Sequence, residues 1–314
     1  MHNSRSNRGG AIIMAMLTVA LVAGIATAIV ADYGNAVSHL SGRHDQAQAR
    51  WLARGAVDWA RNVLEADYIR AGANKVDHLG EDWAIKVPPT PIEEGEVSGE
   101  LEEQSGRFNL NSLVGSDGKV NAPQVRIFLR LLAALGYSSQ QSKAIAAPII
   151  DWIDSDDVPT GSAGAESGWY RSESKGSLPP QAPMLDLNEL INVRGFDAAL
   201  IERLRPHVTV LPFDETRINV NTASAEVLMA YIPNLTLSQT QVLVANRAHS
   251  FFTSIDNFSQ QLPGKTELDD DRLVVTSTYF LATGRARWGD AVTRMQVLLR
   301  RDQARPDILW QKIL

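Results

Sequence analysis

Arg8-Gly9-Gly10-Ala11-Ile12-Ile13-Met14-Ala15-Met16-Leu17 opens an apolar run that reaches Ala31 without a charged residue. Residues 11–31, at about 1.5 Å each, make a helix of about 30 Å, the thickness of a bilayer's hydrocarbon core. Arg5 and Arg8 precede the run, and no acid lies in the first ten residues. The positive-inside tendency therefore holds the short N-terminus in the cytoplasm and places everything after Ala31 across the membrane. A secretory signal peptide carries its small-residue cut site after the apolar region. Here Gly9-Gly10 stands before it, and Gly24, Ala26 and Ala28 inside the run offer only a weak site of that kind.

Arg-Gly-Gly followed by Ala11-Ile-Ile-Met-Ala-Met-Leu resembles the class III leader of type IV pilins and pseudopilins. The resemblance implies that a prepilin peptidase cuts between Gly10 and Ala11 and methylates the new terminus. The apolar helix would stay as a membrane anchor and later as the packed centre of a filament. A small residue suits the cut, because the backbone must enter a protease site extended and unobstructed. Most members of that family carry glutamate as the fifth residue after the cut; this chain has Ala15. A carboxylate at bilayer depth is costly unless paired, and a subunit with nothing above it has no amine to pair with. The K-type minor pseudopilin of type II secretion is the member lacking this glutamate. Ala15 marks either that type or a chain that is no pilin, and the rest of the sequence must decide.

The chain has 314 residues, 44% of them hydrophobic, which is enough for two domains and a sizeable core. Its formal charge is −6, and loss of Arg5 and Arg8 with the leader would take it to −8. An acidic chain is poorly suited to nucleic acid. There is no cysteine, so disulfides cannot brace an exported domain.

Helical signals continue past the apolar run. Leu52, Ala56, Trp59 and Val63 step by four, three and four, which puts them on one face, with Arg50, Arg54, Asp58, Arg61 and Glu65 mainly outside it. One helix is expected from Ala11 to Ile69, closing near Gly72. Trp83-Ala-Ile-Lys-Val then alternates, Pro88, Pro89 and Pro91 interrupt the chain, and 96–108 alternates loosely as an exposed hairpin or strand pair. Strand signals return at 278–287 and 291–300, joined by Trp288-Gly289-Asp290, with a last short strand at 308–313. Between them, 111–273 reads as helical. The pattern is α+β: a pilin-like fold with a long spine helix and antiparallel sheet, and a large all-α domain inserted into it. The expected division is 1–10 leader, 11–31 membrane and filament-core half of the spine, 32–110 remaining spine and first strands, 111–273 inserted domain, and 274–314 final strands.

Within the insert, Arg107-Phe-Asn-Leu-Asn-Ser recurs as Arg217-Ile-Asn-Val-Asn-Thr. Asn111-Ser112 and Asn221-Thr222 offer N-cap chemistry for the helices that follow. The second copy resembles the helix-hairpin-helix modules of DNA-uptake and repair proteins, which grip phosphate with a glycine-bearing hairpin. The hairpin here, Ile232-Pro-Asn-Leu-Thr-Leu-Ser, has no glycine, which favours a structural or protein-binding use. K-type pseudopilins carry such a helical domain.

Asp151-Trp-Ile-Asp-Ser-Asp-Asp-Val-Pro-Thr-Gly-Ser-Ala-Gly-Ala-Glu-Ser-Gly-Trp-Tyr is the densest chemical signal. Hard divalent cations, calcium above all, want six to eight oxygens in a flexible loop. The alternation of Asp154 and Asp156 resembles the start of an EF-hand, without its central glycine or closing glutamate. A solvated acidic loop is the plain alternative. Against it, Trp152, Ile153, Trp169 and Tyr170 pull the loop towards a core where unpaired carboxylates would repel. Asp154, Asp156, Asp157 and Glu166 are the candidate calcium ligands, and K-type pseudopilins are known as calcium-binding. Zinc is disfavoured without cysteine or clustered histidine. Glu267-Leu-Asp-Asp-Asp-Arg reads as a solvated acidic start or loop.

No catalytic constellation stands out. His2 belongs to the leader, His39 and His44 to the spine, and His78, His207 and His249 are scattered. No nucleophile elbow, Walker A or dinucleotide motif occurs, and Gly161, Gly164 and Gly168 follow no expected strand.

Leader, glutamate-free helix, helical insert with acidic loop and terminal strands together resemble the K-type minor pseudopilin over essentially the whole chain. That resemblance implies a non-enzymatic subunit at the tip of a periplasmic pseudopilus, helping to initiate its assembly for protein export. It would be anchored once in the inner membrane with its folded part in the periplasm. Expected partners are the I- and J-type minor pseudopilins, the other pseudopilins, the inner-membrane assembly platform and the prepilin peptidase, with no nucleic acid. A membrane-anchored DNA-binding protein of the uptake type and an anchored calcium-dependent hydrolase are the rival readings.

Overall fold

The computed structural model describes residues 8–72, 75–173, 178–264, 268 and 270–314, with the side chains at 8, 9, 35 and 270 left aside. Residues 1–7 of the leader, and Glu267 and Asp269 of the second acidic run, lie outside the described residues.

The apolar run and the amphipathic stretch form one helix, α1 (Arg8–Ala71), 64 residues and about 95 Å long. It stops where Gly72 takes a left-handed φ of +59°. Every described side chain from Gly10 to His44 is exposed, so the first half of α1 packs on no other described part of the chain. From Asp45 onward the helix lies on a sheet, through Ala49, Ala53, Val57, Ala60 and Leu64. This is not the expected face. Leu52, Ala56 and Val63 are only half-buried, and Trp59 is 51% exposed. Three of the five seam residues are alanines, joined by Val57 and Leu64, while Leu52, Trp59 and Val63 flank it.

The chain then makes a 3-10 turn, Asp82–Ala84, with Trp83 buried, where alternation had suggested a strand. The prolines do not interrupt the sheet: β1 (Val87–Ile92) contains all three and pairs with β2 (Gly95–Glu103). β1 is an edge strand, where the missing N–H groups of proline cost no ladder bond.

Beyond β2 lies a body with its own core, running from Phe108 to Leu273. It contains β3 (Phe108–Asn109), α2 (Ala122–Ala134), α3 (Ser139–Ile153), α4 (Ser167–Ser172), α5 (Ala198–Leu204), β4 (Val208–Thr209), β5 (Ile218–Asn219), α6 (Ala225–Tyr231), α7 (Leu237–Arg247), α8 (Ile255–Ser259) and β6 (Leu273–Val274). Phe108 and Leu110 already belong to this core, slightly before the expected start at 111. The sequence echo is a structural echo as well. β3 pairs with β4 and β5 with β6, both parallel, and these two-residue strands were not expected in the helical middle.

Asn111 and Asn221 do not cap helices. Asn111 receives Met184 N at 2.9 Å and donates to Met184 O and Leu211 O. Asn221 receives Phe252 N at 2.8 Å and donates to Phe252 O. Both asparagines are buried, and each satisfies the backbone of a distant segment, which a helix cap cannot do. Asn121 and Ser224 cap α2 and α6 instead.

Three strands complete the first sheet: β7 (Tyr279–Trp288), β8 (Ala291–Arg300) and β9 (Asp307–Ile313). All pairings are antiparallel, in the order β1-β2-β7-β8-β9. β7 and β8 turn through Gly289, at φ +52°. Gly284 explains the narrow seam under α1: a Cβ there would lie 2.6 Å from the Ala53 carbonyl oxygen.

Two contacts orient the parts. The β7–β8 turn touches α1 at Asp45, near the start of its packed half. The chain leaves the sheet at Glu103 and re-enters opposite it at Phe280, beside the last turns of α1. There Arg301 joins Asp67 on α1 to Asp77. Asn219 of β5 donates to the Asp77 carbonyl at 3.0 Å. The helical body therefore sits on the end of α1 remote from its apolar half.

Candidate metal centre

α3 ends at Ile153 with Trp152 and Ile153 buried, so the carboxylates at the helix end are drawn inward with them. Asp151 and Asp154, three residues apart, share a helical face. The loop returns to α4, whose N-cap residue is Glu166. Tyr170, fully buried, receives the Arg194 N–H on its hydroxyl at 3.0 Å, and the Arg194 guanidinium donates to Gly164 O at 2.9 Å. These bonds hold the returning loop against the core.

The result brings Asp151, Asp154 and Glu166 together, all buried, with one carboxylate oxygen of each within 4.8 Å of the others. Asp151 accepts Thr160 N at 2.9 Å and Ala165 N at 2.6 Å, which shapes the loop around it. A side chain at Gly164 would strike Asp151, so glycine is required at that approach. Asp154 Oδ1 and both carboxylate oxygens of Glu166 are buried without a hydrogen-bond partner among the described residues. Among the described residues no salt bridge reaches any of the three. Burial pushes the Asp154 carboxyl up to about 7, helped by Asp151 and Asp156. Burial likewise pushes Glu166 up to about 8, reinforced by the neighbouring aspartates. Asp151 is raised as well, again chiefly by burial.

Of the four candidates, Asp154 and Glu166 enter this cluster. Asp156 and Asp157 stay on the exposed part of the loop. Asp156 accepts Val158 N at 2.8 Å, and Asp157 accepts Ser167 N at 3.2 Å. Asp151 was missed. Its spacing of three from Asp154 at the end of an apolar helix was the available signal.

The three buried carboxylates fit a hard cation. Burying an unpaired carboxylate costs several kcal/mol, and three side chains offer up to six oxygens of the type calcium prefers. A second group, Asp67, Asp77 and Glu81, makes the contrast clear. There Arg301 reaches Asp67 at 2.7 Å and also pairs with Asp77, and Glu81 accepts His78 N and Trp83 Nε1 at 2.9 and 2.7 Å. Those acids have their partners. Among the described residues, nothing comparable serves Asp154 and Glu166.

At the other end of the chain, Gly10 and Ala11 lie exposed in the first turns of α1. The helix contains an 18-residue window of mean hydropathy 2.5, none of it buried. This fits a single-pass membrane anchor.

Family models described as type II secretion system protein K match residues 106–213 and 218–276. The type II secretion system protein K of Klebsiella pneumoniae is 32% identical, over 96% of this chain and 97% of its own length. That of Pseudomonas aeruginosa is 33% identical, over 94% and 88%. One chain of the GspK-GspI-GspJ complex from the enterotoxigenic Escherichia coli type 2 secretion system superposes with a TM-score of 0.74 at 23% identity, covering 88% of this chain and 99% of that one. The fold agrees with that expected from the leader, the spine and the insert. The chain belongs to the protein K family of the type II secretion system, the family of a minor pseudopilin.

Proposed function

We propose that this minor pseudopilin forms the tip of the pseudopilus and helps to initiate its assembly for protein export, without enzymatic activity. The observation that carries this reading is the position of the helical body. It caps the end of α1 remote from the apolar anchor, where a further subunit would otherwise be added. Ala15 supports it, since a subunit with nothing above it has no use for an intramembrane carboxylate. The neighbouring complex contains GspI and GspJ, and by analogy the I- and J-type minor pseudopilins are the immediate partners here. Other pseudopilins and the assembly platform would engage through the exposed apolar half of α1, where small residues and close packing supply the association energy. The anchor crosses the inner membrane with the sheet and helical body in the periplasm. Calcium held by Asp151, Asp154 and Glu166 serves as a structural brace in a chain that has no disulfides.

A DNA-binding use is disfavoured by the hairpin itself. Asn234 takes the left-handed position at φ +67°, and at the start of α7 the amides of Thr236 and Gln239 are taken by their reciprocal capping box. Amides already bonded cannot receive phosphate.

Two measurements test the proposal. Protein made with prepilin peptidase should begin at N-methylated Ala11, and protein made without it should keep residues 1–10. A cut after Ala31, or no cut, rules out pilin-type maturation. An epitope placed in the helical body should then label one end of each filament by immunoelectron microscopy. Labelling along the shaft would replace the tip assignment with a shaft subunit.

A further inference from the structure

We propose that the flank of α1 carrying His39, Arg43, Arg50 and Arg54 docks an acidic face on the spine helix of another pseudopilin subunit. This rests on the pseudopilin reading and names the chemistry of one of its contacts. At about 100° per residue the four positions fall within about 60° of one another and extend about 22 Å along the axis. All four are exposed, and none has an ion-pair partner among the described residues. The acid between them in sequence, Asp45, is turned to the β7–β8 turn instead. His39–Arg43 and Arg50–Arg54 are i,i+4 pairs, and like charges at that spacing destabilise a helix when both are charged. An unneutralised row of this kind, in a chain of net charge −6, is not a consequence of composition.

The neighbouring wall is largely apolar, two isoleucines with the exposed Gln311 between them. Arg61, on the same line, donates to Pro306 O at 2.8 Å, which holds the approach to β9 against this side of α1. β9 is the edge of the sheet opposite β1. Ile308 and Ile313 pair with Leu299 and Met295, which pack under α1, so both isoleucines lie on α1's side of the sheet; they are 40% and 52% exposed. A partner with acids towards the arginines and apolar residues towards β9 would match both walls. A straight row along the axis suits a rod aligned with α1, and a subunit anchored in the same bilayer presents its own helix that way. Lipid headgroups fit less well. Arg54 lies 23 residues beyond Ala31, about 35 Å, whereas the interfacial zone extends only about 5–8 Å past the hydrocarbon.

The chain has no cysteine, so single-cysteine reporters are clean. Full-length Arg54→Cys, co-expressed in membranes with other pseudopilins bearing cysteines beside acidic spine positions, should form a disulfide with one of them. Arg50→Glu/Arg54→Glu should lower co-purification of that subunit about tenfold or more, as like-charge contacts do. Reversing the partner's acids to lysine should restore it, and Arg50→Lys/Arg54→Lys should change little. Undiminished co-purification of the glutamate variant overturns the proposal. Cross-linking only to a second copy of this chain overturns it too, as does an effect confined to binding of anionic lipid vesicles. If the unsubstituted chain associates with no other pseudopilin, the functional reading itself fails.

Discussion

Arg301→Ala should cost the fold about 3–5 kcal/mol, the range for breaking a buried ion pair by removing one partner. The guanidinium is 5% exposed, bonds Asp67 at 2.7 Å, pairs with Asp77, donates to Ser277 O at 3.3 Å and lies 4.7 Å from the Phe280 ring centre. Asp77 also receives Ser277 N at 2.6 Å, and Asn219 donates to Ser277 Oγ at 2.7 Å. One cation thus ties the end of the spine, the segment after it, the last long strand and the helical body. Alanine would leave two carboxylates buried without a counter-charge. The expected result in urea unfolding is a lower midpoint and a separated transition for the helical body. Arg301→Lys should recover only part of the loss, because one ammonium lacks the two-pronged geometry. Adding Asp67→Asn and Asp77→Asn to Arg301→Met should recover more, since the buried charges are then gone. A midpoint unchanged in Arg301→Ala would show that the network does not hold the two cores together.

Much of the architecture was legible because it rests on long, periodic signals. The charge-free run to Ala31 and the hairpin at Gly289 each announce a local structure. What remained hidden depends on contacts between distant segments. The packed face of α1 is set by Gly284 more than 200 residues away, and only alanines allow the backbone approach that this glycine permits. Reading the large residues Leu52, Trp59 and Val63 as the core face rotated the helix by about one residue. Asn111 and Asn221 carry cap-forming side chains, yet their partners, Met184 and Phe252, are remote in sequence. In the acidic loop, density of aspartates was a poor guide to depth. Asp156 accepts from the local turn at Val158 and Asp157 from Ser167 at the start of α4, both on the exposed side, while Asp151, on a helix end with Trp152 and Ile153, is carried inward.

Calcium should raise the melting temperature strongly at pH 8 and weakly near pH 5. Without metal, Asp154 and Glu166 hold their protons up to about 7 and about 8, chiefly because they are buried. In the unfolded chain both release them near pH 4. Between about pH 4 and 8 the native state therefore binds more protons than the unfolded one, so the metal-free protein loses stability as pH rises through that window. A cation among Asp151, Asp154 and Glu166 takes the place of those protons, and its stabilisation grows as they leave. At about a hundredfold excess over Kd the linkage is worth about 2.7 kcal/mol, or roughly 5–10 °C for a domain of this size. Asp154→Asn/Glu166→Gln keeps the shapes and removes the charges. That variant should be insensitive to calcium and to chelator, and without calcium it should be more stable at pH 8 than the unsubstituted protein. A melting temperature that ignores calcium at both pH values would return Asp154 and Glu166 to the status of buried protonated acids. Equal stabilisation by magnesium alone would point to a smaller, more hydrated ion than the loop geometry favours.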